Sequence, residues 1–341
     1  MNLKDRIETL VSLGQVITNI PEDKMQEAYY HNKWFIDDNI KKSLRAIKKE
    51  FLNRTKLNNW VRQYHLSDNN TNKTIGIIMA GNIPLVGLHD LISTFISGHN
   101  AHIKISSKDK ILMEYILDLM YHIAPETKNL IKTKERLKNI DAIIATGSNN
   151  SYRYFEYYFG KLPNVIRKNR NGVAILTGDE TEIDLENLSN DIFDYFGLGC
   201  RNVSKIYIPD GYDFNTLLRV LDKHQHLKEH NKYMNNYDYN LAIALLNKDK
   251  IYQGEVVFLK EDISYLSRIA NVHFEHYSTL DEIKNRIQND EQLIQVVATK
   301  SGNIINFDRE ISFGCTQTPS LSDYSDGVDI MRFLNLKLKK Q

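Results

Sequence analysis

The sequence predicts an α/β protein of two domains. The chain of 341 residues is longer than a single hydrophobic core usually supports. Short apolar runs alternate with helical patterns in two successive passes, which is typical of parallel strands joined by helices. An asparagine-rich, turn-like segment at 67–74 separates these passes from the N-terminal region.

The N-terminal region is predicted to be helical. Apolar residues recur there at intervals of three and four with Lys and Arg between them, as in an amphipathic helix. They are Ile36, Ile40, Leu44, Ile47 and Phe51.

The first α/β pass contains four apolar runs separated by helical patterns. The runs are GIIMA at 76–80, AHIKI at 101–105, DAIIA at 141–145 and GVAIL at 172–176. This alternation predicts a Rossmann-like sheet, in which ligands bind at the carboxyl ends of the strands.

The second pass begins after an acidic connector at 178–186. Its expected strands lie at 203–208, 255–259 and 293–299. The predicted organisation is N-terminal helices packed on the first domain (1–74), a Rossmann-like domain (75–178), a second α/β domain (179–315) and a C-terminal segment (316–341).

Composition and charge exclude several classes of function. Lys and Arg total 44 and Asp and Glu total 43, so no basic excess favours nucleic-acid binding. Two cysteines cannot form the disulfide framework of a secreted domain. The N-terminus is charged throughout, unlike a signal peptide, and the most apolar stretch, 83–98, is too short and polar to span a bilayer. We therefore expect a cytoplasmic protein without a membrane span.

Candidate site residues follow the first three strands. Asn82, between the first strand and its helix, can donate to a developing oxyanion, although asparagine is also a preferred helix cap. Lys104 ends the second strand, where it suits a cofactor ribose or phosphate or is simply solvated. Gly147 and Ser148 lead from the third strand into a helix whose N-terminus can face a phosphate. Neither common nucleotide-binding glycine motif occurs in the chain.

Cys200 is the candidate nucleophile. It ends the segment FGLGC, where two glycines leave space and main-chain amides around the thiol. A small buried cysteine is the alternative. Cys315 also follows a glycine, so the local sequence does not choose between the two.

Taken in order, these segments resemble a known family. The segments are GNIPLVG, ATGSNNSYRYF, GLGCRNVSKIYIP, NNYDYNLAIALLNK and FGCTQTPSLSDYSDGVDIMRFL. Together they resemble the acyl-CoA reductase family of the aldehyde dehydrogenase-like superfamily, which includes the reductase component of the bacterial bioluminescence fatty-acid reductase. The resemblance covers residues 75–334 and implies a Rossmann-like cofactor domain followed by an α/β catalytic domain.

The resemblance also implies an activity and residue roles. The activity is NADPH-dependent reduction of a long-chain fatty acyl-CoA or acyl-protein thioester to the aldehyde. Cys200 matches the nucleophile that carries the acyl group, and Asn82 matches the asparagine that binds the oxyanion with the Cys200 amide. Lys104 matches a lysine near the adenosine ribose, and Gly147 and Ser148 match the turn beneath the cofactor.

Three departures from hydrolytic aldehyde dehydrogenases refine this interpretation. The segment 167–176 aligns with a motif whose glutamate activates water, and it contains no carboxylate. Without a general base an acyl thioester survives for reduction. Ser107, followed by Lys108, replaces an acidic ribose-binding residue and favours NADPH over NADH. No clear Glu-x-Phe-Gly-Pro segment is present.

Some alternatives remain open at this point. One is a dehydrogenase of the same superfamily acting on another small aldehyde or acyl phosphate, and another is an acyltransferase using Cys200 without a nicotinamide. His224, His226 and His230 lie close together in the sequence, and the last two are expected to share a helical face at four-residue spacing. This spacing can bind zinc, but a solvated helix face is expected and no metal site is predicted. Relatives imply a homo-oligomer and an acyl-activating partner protein.

Overall fold

The computed structural model describes residues 1–64, 66, 72–147 and 149–337. The described helices are α1 (Leu3–Val16), α2 (Glu22–His31), α3 (Asp37–Glu50), α4 (Arg54–Arg62), α5 (Leu88–Ile96), α6 (Lys110–Ile123), α7 (Thr127–Leu130), α8 (Asn149–Phe159), α9 (Glu182–Phe193), α10 (Phe214–Leu221), α11 (Asn231–Leu246), α12 (Leu280–Asn289) and α13 (Ile330–Arg332). The described strands are β1 (Thr74–Ile78), β2 (Asn100–Lys104), β3 (Ile131–Thr133), β4 (Ala142–Thr146), β5 (Asn164–Arg167), β6 (Asn171–Ile175), β7 (Val203–Pro209), β8 (Ile251–Gln253), β9 (Phe258–Glu261), β10 (Asn271–Tyr277), β11 (Ile294–Thr299) and β12 (Glu310–Ser312).

The chain forms two compact units, one of Met1–Asn169 with Pro319–Gln341 and the other of Arg170–Thr318. The change from the first unit to the second therefore comes before the expected boundary between 178 and 179. The C-terminal segment, from Pro319 onward, belongs to the first unit. Both units contain parallel sheets with helices between the strands, which confirms the predicted α/β class.

The first unit is built on a five-stranded parallel sheet in the order β3-β2-β1-β4-β5. The strand order reverses between β1 and β4, and the crevice at such a switch point is where ligands bind in open α/β sheets. Ile75 and Ile77 of β1 are fully buried on one face and Gly76 between them is also buried, as expected for a strand covered on both faces. They share one core with the N-terminal helices, including the predicted apolar stripe of α3.

The second unit contains a seven-stranded sheet in the order β12-β11-β6-β7-β10-β9-β8, in which only the β8–β9 pair is antiparallel. The expectation that GVAIL at 172–176 is the fourth strand of the first sheet was wrong. The corresponding strand β6 pairs with β7 and β11 in the second sheet, and β5 completes the first. An apolar run shows that a strand is buried but does not specify its partner, which explains the error.

The strand β10 was missed in the sequence because polar residues interrupt its apolar run. Two of them are buried or partly buried for a structural reason. Glu275 forms an ion pair with Lys205 of the neighbouring strand β7, and the fully buried Lys205 also donates to the carbonyl oxygen of Ile263 at 2.7 Å. His273 is paired in register with Lys205 and contacts the carbonyl oxygen of Ser264 at 2.9 Å. These hydrogen bonds compensate for the burial of the polar groups.

Candidate active site

Four of the predicted cofactor and catalytic residues lie at the carboxyl edge of the first sheet. Lys104 ends β2 and pairs in register with Ile78, the last residue of β1. The four predicted site residues at this edge are Asn82, Lys104, Ser107 and Gly147. Ser148, predicted with them, lies outside the described residues. Three polar side chains and one glycine therefore lie at the edge of the sheet where ligands bind in open α/β folds.

The loop after β1 packs tightly against the turn after β2. A Cβ atom on Gly81 would lie 2.5 Å from the hydroxyl oxygen of Ser106, so the close approach of the two segments requires glycine. Asn82 is half-buried in this loop. Gly87, and not Asn82, is the cap residue of α5, so the helix-cap interpretation of Asn82 was wrong.

A buried carboxyl group, that of Asp109, is hydrogen-bonded to the same loop. Asp109, only 3% exposed, accepts a hydrogen bond from the main-chain nitrogen of Leu85 at 2.7 Å. Leu85 has a φ of 59°, a left-handed conformation that costs free energy in a non-glycine residue. Burial raises the pKa of Asp109 well above its usual value, because the ionised carboxylate would lose its hydration there. Sequence reasoning missed this residue, because nothing in its local pattern distinguishes it from an exposed aspartate.

A buried ion pair connects the ends of β4 and β5 to α5. Arg167 donates to both carboxylate oxygens of Asp90, at 2.6 and 2.8 Å, and one of its nitrogens also lies 3.1 Å from the Thr146 hydroxyl. Both charged side chains are less than a tenth exposed. A pair of parallel hydrogen bonds is the strongest arrangement for an arginine and a carboxylate. Thr146 precedes Gly147, so this pair fixes the end of the strand that leads into the candidate cofactor turn.

Cys200 lies in the second unit, in a tight turn just ahead of β7. The main-chain nitrogen of Asn202 donates to the carbonyl oxygen of Gly199 at 3.1 Å, so Cys200 and Arg201 are the central residues of the turn. The Cys200 side chain is half-buried. Upstream, Tyr195, Phe196 and Gly197 have φ values of 53°, 60° and 73°. Two successive buried aromatic residues in the left-handed region indicate backbone strain, which is concentrated at functional sites.

The side chain of Asn202 fixes this turn. Its oxygen accepts from the Gly199 nitrogen at 2.8 Å, and its amide nitrogen donates to the carbonyl oxygens of Asp191 and Asp194 at 2.9 and 2.8 Å. These two carbonyls lie at the end of α9, where a helix leaves acceptors without partners. The turn that carries Cys200 is therefore joined to the end of a helix.

The loop that carries the second cysteine contacts the same turn. Arg201 donates through its Nε to the carbonyl oxygen of Thr316 at 2.6 Å. The carboxylate of Asp191 accepts from the main-chain nitrogens of Gly314 and Thr316, at 2.6 and 3.0 Å. Burial raises the pKa of Asp191 to about 6. Thr316, next to Cys315, is thus hydrogen-bonded to Arg201, next to Cys200. The sequence alone did not predict this contact, because the two residues are far apart in the chain.

His226 and His230 do not share a helix face, so that expectation was wrong. His224 contacts the hydroxyl of Ser189 at 2.7 Å, and His230 accepts from the Tyr233 nitrogen at 3.1 Å at the start of α11. His226 lies on a three-ten turn between them. Within the described residues, no group of three or more His, Cys, Asp or Glu side chains could hold a metal ion.

Tyr324, from the DYSDG segment, belongs to the core of the first unit. Its hydroxyl accepts from Trp60 Nε1 at 2.7 Å and lies 2.7 Å from the Tyr64 hydroxyl. Tyr64 donates in turn to Asp329 at 3.0 Å. These hydrogen bonds attach the C-terminal segment to α4, which accounts for the buried tyrosine structurally.

Comparison with models of protein families gives no match, and comparison with curated protein sequences gives none either. Solved structures do match. Aldehyde dehydrogenase 21 from Physcomitrella patens, in complex with the product succinate, superposes with a TM-score of 0.66 at 12% identity over 88% of this chain and 73% of its own. The fold is that of the aldehyde dehydrogenases.

Two further aldehyde dehydrogenase-fold structures contain nicotinamide cofactors. The NAD+ complex of an aldehyde dehydrogenase from Bacillus cereus matches with a TM-score of 0.64 at 13% identity, over 89% of this chain and 74% of its own. The NADP-dependent glyceraldehyde-3-phosphate dehydrogenase from Bacillus halodurans C-125, complexed with NADP, matches with a TM-score of 0.61 at 11% identity, over 88% and 74%. The predicted aldehyde dehydrogenase-like fold is confirmed, and the narrower acyl-CoA reductase resemblance stays a prediction. Among the described residues, the structure contains no helix long and apolar enough to cross a membrane.

Proposed function

We propose that the protein reduces a fatty acyl thioester, either an acyl-CoA or an acyl-protein, to the aldehyde, with NADPH as reductant and Cys200 as nucleophile. The observation that carries this proposal is the position of Cys200. In an aldehyde dehydrogenase fold, a half-buried cysteine occupies the centre of a glycine-flanked turn that side chains hold in place. Such a turn leaves room for an electrophile beside the thiol.

The chemistry of this chain's own residues is acyl transfer to the thiol. The thiolate of Cys200 attacks the thioester carbonyl carbon, the bond to the carrier sulfur breaks, and the carrier leaves as a thiol after taking up a proton. By family resemblance, the main-chain N–H group of Cys200 and the Asn82 side-chain amide donate to the developing oxyanion. NADPH, when bound, supplies the hydride that reduces the acyl group to the level of the aldehyde. Cys200 is regenerated as the aldehyde leaves.

The carboxyl edge of the first sheet fits a dinucleotide. A Cβ atom on Gly147 would lie 2.8 Å from the Phe155 ring, so the turn after β4 requires glycine to pack this closely on α8. Lys104 is exposed at the end of β2, on the other side of β1, where its ammonium group can bind ribose or phosphate oxygens. These residues would hold the cofactor.

The turn after β2 favours NADPH over NADH. Ser107 and Lys108 are exposed there, and a hydroxyl beside an ammonium group accommodates the extra phosphate. The next residue, Asp109, is buried and directed at Leu85, so it presents no carboxylate that would repel a phosphate or accept from a ribose hydroxyl. NADH is the alternative cofactor.

The main alternative is an aldehyde dehydrogenase that releases an acid. That reaction requires a base to activate water against the acyl thioester. The segment 167–176 contains no carboxylate, and Asp90, which contacts Arg167, has both oxygens bound to that guanidinium. Reduction of the acyl group is therefore the better-supported direction.

The test combines NADPH oxidation with detection of the acyl group on the protein. Tetradecanoyl-CoA and NADPH are added to the wild type, to Cys200→Ala and to Cys315→Ala, which removes the other cysteine. We expect CoA-dependent oxidation and fatty aldehyde with the wild type and Cys315→Ala, and neither with Cys200→Ala. Intact-mass measurement without NADPH should detect an acyl adduct that Cys200→Ala lacks.

Other results identify the alternatives. Reduction by Cys200→Ala would refute the mechanism, and aldehyde oxidation with NAD+ or NADP+ in place of thioester reduction would identify a dehydrogenase. Acyl transfer to a second thiol without any nicotinamide would identify an acyltransferase. The proposed acyl-activating partner and homo-oligomeric state are tested by repeating the assay with an acyl-protein donor and by light scattering.

A further inference from the structure

The buried residue Asn202 is hydrogen-bonded to Gly199 at the other end of the turn that contains Cys200. Asn202 is 2% exposed. Its side-chain oxygen accepts from the Gly199 nitrogen at 2.8 Å, while its own main-chain nitrogen donates to the Gly199 oxygen at 3.1 Å. The two hydrogen bonds run in opposite directions between the same two residues. They fix the peptide planes on either side of Cys200 and Arg201.

The same side chain sets the orientation of the turn relative to α9. Both donor hydrogens of its amide are directed at carbonyl oxygens, those of Asp191 and Asp194. A planar amide with its oxygen on Gly199 and its nitrogen on two helix carbonyls has one orientation that satisfies all three bonds. Any rotation of the turn about the chain axis breaks at least one of them in a buried environment, where an unpaired polar group is costly.

The opposite side of the turn is also held. Arg201, beside Cys200, donates to the carbonyl oxygen of Thr316, and Asp191 holds the Thr316 nitrogen and hydroxyl through its carboxylate. Asp191 thus contributes its carbonyl to Asn202 and its carboxylate to the loop at 314–316. The turn is restrained from two directions, and both restraints meet at one helix residue.

We propose that Asn202 is a positioning residue for the Cys200 nucleophile, acting by aiming the main-chain N–H group of Cys200 at the oxyanion that forms when the thiol attacks a carbonyl. The inference rests on the proposed function in that Cys200 is the nucleophile. Loss of one hydrogen-bond donor that is positioned to stabilise an oxyanion lowers the reaction rate by about 10²- to 10³-fold. Alkylation of a thiol at a saturated carbon creates no such oxyanion and does not need the donors.

This difference between reagents provides the test. In a Cys315→Ser background Cys200 is the only cysteine, because the chain contains two. The thiol is treated either with p-nitrophenyl acetate, a carbonyl electrophile whose attack releases p-nitrophenolate, or with iodoacetamide, which alkylates it. The variants are Asn202→Ala and Asn202→Asp. The control is Asn240→Ala, which removes another buried asparagine of the same unit that donates to the Ile269 oxygen at 3.0 Å.

The expected result is a change in the ratio of the two rates. In Asn202→Ala, acylation by p-nitrophenyl acetate should fall about 10- to 100-fold while alkylation changes by less than about twofold. Asn240→Ala should leave the ratio unchanged. Thiol ionisation affects both reagents equally, so the ratio does not depend on it.

Asn202→Asp adds a pH signature that a purely structural role would not produce. The new side chain keeps an acceptor for Gly199 but turns a carboxylate oxygen toward the carbonyls of Asp191 and Asp194. Protonation restores one donor toward them. The ratio of acylation to alkylation in Asn202→Asp, divided by the ratio of the parent protein at the same pH, should therefore be low at neutral pH and recover as the pH falls. Asp191, which also restrains the turn and has a pKa of about 6, is present in both proteins, so this division removes its effect.

Equal losses of both rates in Asn202→Ala, or an unchanged ratio, would overturn the proposal and leave Asn202 with a structural role. Should Asn202→Ala fail to fold, the pH-dependent recovery of Asn202→Asp decides the matter, and a flat ratio there would count against positioning. The ester and iodoacetamide require neither acyl-CoA nor NADPH. A wild type that reacts with the ester but not with tetradecanoyl-CoA would therefore refute the proposed function without affecting this inference.

Discussion

The carboxylate of Asp191 accepts hydrogen bonds from the main-chain nitrogen and the hydroxyl of Thr316, at 3.0 and 2.8 Å, across 125 positions of sequence. The Gly314 nitrogen donates to it as well, at 2.6 Å. Asp191 is 1% exposed, and burial raises its pKa to about 6. One buried acid on α9 therefore holds the loop that carries Cys315.

Replacing Asp191 with asparagine should destabilise the protein. Both oxygens of Asp191 face donors, and the asparagine NH2 group would have to face an N–H of Gly314 or the donors of Thr316. Leaving buried hydrogen-bonding groups unpaired costs about 1–3 kcal/mol. Urea unfolding of Asp191→Asn should show this loss, whereas Asp238→Asn, at an exposed position of α11, should not.

The loss in the free energy of unfolding caused by Asp191→Asn should also depend on pH. The folded-state pKa of Asp191, about 6, lies above its ordinary value of 3.8, so the folded protein binds this proton more tightly than the unfolded chain. Its contribution to the free energy of unfolding therefore decreases as the pH rises from about 4 to about 6. Asparagine does not titrate, so the difference between wild type and variant should shrink over that window. A difference that stays constant would contradict the burial argument.

Breaking the ion pair between Arg167 and Asp90 should be severe, while replacing both partners should not. Arg167→Met leaves a buried carboxylate without its counter-charge, which costs about 3–5 kcal/mol. The double variant Arg167→Met with Asp90→Leu removes both charges and should recover most of that loss, because apolar replacements of buried pairs are often nearly neutral. A double-mutant cycle of urea unfolding measures the coupling. Additive losses would show that the two side chains do not act as a pair.

Asp109→Asn should stabilise the protein relative to wild type as the pH rises. Burial raises the folded-state pKa of Asp109 above its unfolded value, so its contribution to stability is present at acidic pH and is lost as the pH rises through the folded pKa. Asparagine keeps an acceptor for the Leu85 nitrogen and remains neutral. Thermal unfolding at several pH values should show a midpoint difference that increases with pH. A variant that is less stable at every pH would mean that the carboxyl group has a partner that asparagine cannot serve.

Ser107→Asp should change cofactor preference. A carboxylate at this exposed position repels the extra phosphate of NADPH and offers an acceptor to the ribose hydroxyls of NADH. Fluorescence titration should show NADPH affinity falling by about tenfold or more, with NADH affinity unchanged or higher, a free-energy difference of about 1.4 kcal/mol. Ser322→Asp adds the same charge at another exposed serine and is the control. Equal effects on both cofactors would place the phosphate elsewhere.

Elements with strong local patterns were predictable from the sequence. The strand β7 begins at the expected residue, and the apolar stripe of α3 faces the core. Strands that depend on their neighbours were less predictable. Buried polar residues of β10 find partners across the sheet, which a single strand cannot reveal, and the partners of β6 follow from the packing of the whole unit.

Some residues of the candidate site were also predictable from the sequence, and others were not. Asn82, Lys104, Gly147 and Cys200 were recognisable because each follows or precedes a strand, where chemistry-bearing residues are expected. Asp90, Asp109 and Asn202 were not, because each acts on main-chain or side-chain groups that are distant in sequence or that form no repeating pattern.

The sequence by itself determined the α/β class, most of the strands and helices, and the segments that carry the candidate nucleophile and cofactor-binding residues. These follow from local periodicity and from the short range of strand and helix propensities. Only the tertiary structure decided which sheet contains β6, that Gly87 and not Asn82 caps α5, and that Asp191 and Asn202 hold the Cys200 turn. These features depend on contacts between residues far apart in the chain. The free energy of a hydrogen bond or of an unpaired polar group depends on its burial, and only the folded chain creates that burial.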